Sequence, residues 1–87
     1  MNVPRHAEAS SALSNKERQR LKKLVASCEK KMATTQGKID EAESLMAETD
    51  PTDYAALVAC QDEIAELKTK LSELETEWLE ALEALGE

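Results

Sequence analysis

The chain has 87 residues, 41% of them hydrophobic, with one Trp, one Tyr and no Phe, which builds at most one small domain and excludes the deep core on which a compact enzyme depends. Charged residues make up 33%, Gly and Pro only two each, a composition of long helices, so the expected class is all-α. Eleven Lys and Arg against 18 Asp and Glu give a formal charge of −7, which opposes non-specific attraction to nucleic acid unless the charge is unevenly placed.

Residues 1–12, MNVPRHAEASSA, lack periodicity and contain Pro4; they read as a flexible lead-in. No apolar h-region follows Met1 and no apolar run approaches the roughly 18–20 residues that span a bilayer, so the chain reads as cytoplasmic and without membrane contact. Residues 13–87 read as an antiparallel coiled-coil hairpin. Ser14-Asn15-Lys16-Glu17 fits a capping box and starts a first helix over 14–48. The turn is expected at 49–50, with Asp50 as N-cap and Pro51 as first residue of a second helix over 51–85.

In the first helix Val25, Met32, Ile39 and Met46 recur every seven residues, and Leu21, Cys28, Thr35 and Ala42 form a second such series. The second helix repeats the device with Leu57, Ile64, Leu71, Trp78 and Leu85 at a, and Cys60, Leu67, Leu74 and Ala81 at d. These narrow stripes are coiled-coil seams. The expected structural core is Leu21, Val25, Cys28, Met32, Ile39, Leu57, Ile64, Leu67, Leu71, Leu74 and Trp78. A two-residue turn sets Leu21 against Trp78, Val25 against Leu74 and Cys28 against Leu71, and flanks the seam with Lys22–Glu75, Glu29–Lys68, Gln36–Gln61 and Lys38–Glu63 pairs. Only Lys31 with Lys70 conflicts. Sliding by a heptad sets Glu29 beside Glu75 and Lys22 against Leu82, so charge favours the first register, although each exposed pair contributes only ~0.2–1 kcal/mol. Thr34-Thr35-Gln36-Gly37 is the stretch where the first helix is expected to be weakest.

Charge is strongly divided. Residues 14–38 carry eight Lys or Arg and two Glu, whereas residues 39–87 carry two Lys and fifteen Asp or Glu. Lys16, Arg20, Lys23 and Lys30 fall at c and f, outside the seam, and form a basic stripe. Two readings compete: phosphate contact, or a solvated face whose cations complement the acidic second helix. From the residues alone the second is favoured, since no aromatic or base-reading side chain accompanies the stripe.

Catalytic and metal constellations are not expected. His6 sits in the lead-in, the carboxylates lie on helix faces with no enclosing pocket, Gly37 and Gly86 stand apart, and Cys28 and Cys60 lack CxxC spacing or paired histidines. The cysteines read as small buried residues. Leu13, Leu24, Leu79, Leu82 and Leu85 gather at the open end beyond what a two-stranded seam requires; either the segment before Ser14 or a protein partner is expected to cover them.

The string Leu13-Ser14-Asn15-Lys16-Glu17-Arg18-Gln19-Arg20-Leu21, followed by a heptad hairpin and by Glu77-Trp78-Leu79-Glu80-Ala81-Leu82-Glu83, resembles the C-terminal domain of ABC-F ATPases, particularly the Uup type, over roughly residues 13 to 85. The resemblance implies a parent chain with two ATP-binding cassettes and no transmembrane segments, acting on ribosomes or nucleic acid in the cytoplasm. It implies a hairpin that binds DNA or ribosomal RNA, through the first helix, and contacts the ATPase domains of its parent chain; from its own residues the hairpin is expected to be non-catalytic, monomeric and without a cofactor. It also raises phosphate contact above the solvated-face reading for Lys16, Arg20, Lys23 and Lys30. The alternative function is a coiled coil for protein–protein interaction or oligomerisation.

Overall fold

The computed structural model describes residues 13–86; the expected lead-in lies outside them. Two helices, α1 (Asn15–Glu48) and α2 (Tyr54–Leu85), pack against each other as an all-α helical hairpin. Ser14 caps α1, its hydroxyl oxygen accepting from the Glu17 backbone N–H at 3.0 Å. The helix runs unbroken through Thr34–Gly37, where Gln36 Nε2 donates to Asp40 Oδ1 at 3.0 Å one turn on, a local stabilising pair. Gly86, at φ 82°, ends α2 in the left-handed conformation that glycine adopts without strain, and its N–H reaches the Glu83 carbonyl at 3.0 Å. Neither helix is long and apolar enough to cross a membrane.

The turn differs from the expectation. Asp50 does not cap α2; its carboxylate accepts from the Thr52 backbone N–H at 2.9 Å and the Thr52 hydroxyl at 2.8 Å. The Asp50 carbonyl accepts from the Asp53 N–H at 2.9 Å, so Asp50-Pro51-Thr52-Asp53 closes a β-turn with proline at its second position. Asp53 is the cap, accepting from the Ala56 N–H at 3.2 Å. Proline's fixed φ suits the second turn residue as well as the first helical one, and Asp50 is satisfied locally, so α2 starts at Tyr54 rather than 51.

The register differs too. Cys28 Sγ lies 3.7 Å from Glu77 Oε1, and Trp78 Nε1 lies 3.1 Å from Glu29 Oε2. Trp78 therefore sits about one heptad along α1 from Leu21, its expected neighbour. The same offset brings Lys31 and Thr35 beside Lys70 and Leu74 and Ala42 beside Glu63. It sets Leu21 level with Leu85, Val25 with Ala81, Met32 with Leu74, Thr35 with Leu71, Ile39 with Leu67, Ala42 with Ile64 and Met46 with Cys60. Each of these layers has at least one buried member. This is the slid register that charge disfavours, and side-chain volume accounts for it. Leu21 against Trp78 sets two large residues together, whereas Cys28, 2% exposed, leaves room for the indole. Close packing of one layer outweighs several exposed ion pairs of ~0.2–1 kcal/mol each.

Of the expected core, Cys28, Ile39, Ile64 and Leu74 are buried, while Leu21, Val25, Met32, Leu57, Leu67, Leu71 and Trp78 are partly buried. Ala42, Cys60, Ala81 and Leu85 complete the buried apolar set, and Thr35 is its polar member. A two-stranded seam covers only one side of each side chain, which leaves many a and d residues part-exposed.

Candidate functional site

The α1 backbone, continuous from Asn15, spaces Lys16, Lys23 and Lys30 at seven-residue intervals with Arg20 between them, so all four project from neighbouring outward faces. All are exposed. Around the helix the order of positions f, c, g leads from this stripe toward the seam. Lys31 and Lys38 occupy g on that side, and Lys70 occupies g of α2. There the helices flank an open cleft of about 360 Å³ lined by Lys30, Lys31, Thr34, Thr35, Lys38, Lys70 and Leu74. Lys30 belongs to both stripe and cleft.

Sequence reasoning found the stripe, because c and f positions follow from the heptad alone. It missed the cleft, because the meeting of Lys38 with Lys70 depends on the register. A neighbouring concavity at Lys38, Glu41, Ala42, Leu45 and Glu63 is of mixed charge.

On the seam itself, Cys28 and Cys60 are buried free thiols. Burial first, then the negative charge of Glu77 and its hydrogen bond with the thiol, push the Cys28 pKa above the ordinary value of 9.0. The thiol is thus held protonated, the opposite of what a nucleophile or metal ligand requires. No group of three or more His, Cys, Asp or Glu converges to hold a metal among the described residues. Of the apolar residues expected at the open end, Leu85 is buried in the seam, Leu13, Leu24 and Leu82 are partly buried, and Leu79 is 52% exposed. Leu45, Tyr54 and Val58 are exposed near the turn.

The sequence pattern of the ABC transporter C-terminal domain family matches residues 12–83. The chain belongs to that family. Neither the curated proteins nor the solved structures give a match. The matched span contains α1, the turn and all but the last residues of α2; the ABC transporter C-terminal domain here is thus the hairpin as a unit, stripe and cleft included.

Proposed function

We propose that this chain is the non-catalytic C-terminal hairpin of an ABC-F ATP-binding protein of the Uup type, a cytoplasmic ATPase, and that it binds DNA or ribosomal RNA through Lys16, Arg20, Lys23 and Lys30. The observation that carries the reading is the exposure of all four cations along one outward side of a continuous helix. Counterion release drives such contacts and makes them salt-dependent. Affinity depends little on base sequence, since the stripe offers charge and no base-edge readers.

Titration of the chain with duplex DNA, branched DNA and structured RNA tests the proposal. Replacing all four residues with Gln weakens binding and lowers the salt slope by at most about 0.9 per lost contact on duplex DNA, while helicity is kept. Equal affinity of the quadruple variant, or no binding by the parent at low salt, overturns the reading. The second reading, a protein-interaction coiled coil, draws on Leu79, 52% exposed at the open end, with Leu24 and Leu82 partly buried at the same end. It predicts binding to no nucleic acid at all.

A further inference from the structure

Lys70 is one of only two lysines in residues 39–87. It nevertheless stands in the same cleft as Lys30, Lys31 and Lys38 of α1. Like charges facing each other across a two-stranded seam repel and weaken the pairing. No carboxylate is among the residues lining the cleft; its other polar members are the hydroxyls of Thr34 and Thr35. Four lysines and two threonines lining one concavity carry the donors that match a phosphate group, which offers several anionic oxygens to ammonium and hydroxyl groups. The cleft opens on the side to which the outward stripe leads, and Lys30 is shared.

We propose that this cleft seats one backbone phosphate of the bound nucleic acid, held between α1 and α2. The proposal rests on the nucleic-acid reading above and extends it: the acidic second helix takes part in binding through Lys70, and the nucleic acid crosses the seam at this level instead of following α1 alone. The phosphate also sets anionic charge inside a cleft whose lining holds none, so occupancy stabilises the pairing of the helices.

Two probes test it on the full chain, pyrophosphate and duplex DNA, each against the parent, the Lys38→Gln/Lys70→Gln variant and Lys70→Arg. At low salt without ligand, the double variant melts at a higher temperature than the parent because repulsion is relieved. Pyrophosphate raises the melting temperature of the parent and of Lys70→Arg, leaves that of the double variant unchanged, and shifts the amide resonances of Thr34, Thr35 and Lys70. On duplex DNA the double variant binds more weakly, with a salt slope lower by up to about 0.9 for the one phosphate seated there, while Lys70→Arg binds as the parent does. Unchanged affinity and slope in the double variant, with the stripe variant impaired, overturns the cleft and leaves the stripe standing. Pyrophosphate binding at the cleft by a parent that binds no nucleic acid overturns both the nucleic-acid reading and this occupant.

Discussion

The indole N–H of Trp78 donates to Glu29 across the seam at 3.1 Å, while the adjacent Cys28 thiol faces Glu77. Together these two contacts fix how far α2 has slid along α1. Trp78 is partly buried, so Trp78→Ala removes the largest side chain of the seam and costs about 2–3 kcal/mol, below the roughly 3–5 kcal/mol of a fully buried aromatic. Trp78→Phe keeps a ring over Cys28 and loses only a bond to an exposed carboxylate, for less than about 1 kcal/mol. Urea melts of the two variants measure the difference, and equal losses would place the indole outside the seam.

Cysteine cross-linking reads the register directly. With both native cysteines replaced by Ala, Val25→Cys with Ala81→Cys oxidises readily to an intramolecular disulfide, while Val25→Cys with Leu74→Cys does not. In the native chain Cys28 is level with Glu77, and Cys60 lies seventeen positions earlier in α2, roughly 26 Å along the axis at ~1.5 Å per residue. A disulfide needs Cα atoms within about 7 Å. Mass spectrometry of the oxidised native chain therefore finds no Cys28–Cys60 bridge.

Gly37 sits inside α1, and a Cβ built on it meets nothing within 4 Å. Gly37→Ala restricts the unfolded chain and improves helix propensity with no steric cost, so it raises stability by about 0.5–1 kcal/mol. The denaturation midpoint moves up with an unchanged m-value.

Cys28 gives the hairpin a limit on the alkaline side. Its pKa is higher folded than unfolded, so as pH rises the unfolded thiol ionises first and draws the equilibrium toward unfolding. The thiol's contribution is intact below about 9.0 and is lost as pH climbs through the higher folded value. Urea midpoints between pH 8 and pH 11 fall more steeply for the parent than for Cys28→Ala; parallel curves would contradict the burial of this thiol.

Much of this architecture is legible in the sequence because it is local. Ser14 with Glu17 marks the start of α1, Thr49 to Asp53 marks the break, and the seven-residue spacing of Val25, Met32 and Ile39 marks the seam. The start of α2 is not legible, because Asp50-Pro51 suits a cap and a β-turn equally, and only the bond from the Ala56 N–H to Asp53 separates them. The register is misread because ion pairs can be counted along a sequence, whereas the fit of an indole over a cysteine depends on volume between two chains. The candidate site divides the same way. The outward lysines of α1 follow from the heptad, but the convergence of Lys38 with Lys70 exists only once the slide is known.

An antiparallel hairpin sets the N-terminal start of α1 and the C-terminal end of α2 side by side, with the turn at the far tip. Tension applied through those two ends therefore peels the helices apart like a zipper, breaking one layer at a time, instead of shearing every layer at once. The force the rod resists is set by the strongest single layer that the peeling front meets, not by the sum of them. Leu21 with Leu85 and Val25 with Ala81 bear the load first, and the Cys28–Trp78 layer is the next barrier, before the peeling front reaches the lysine-lined cleft.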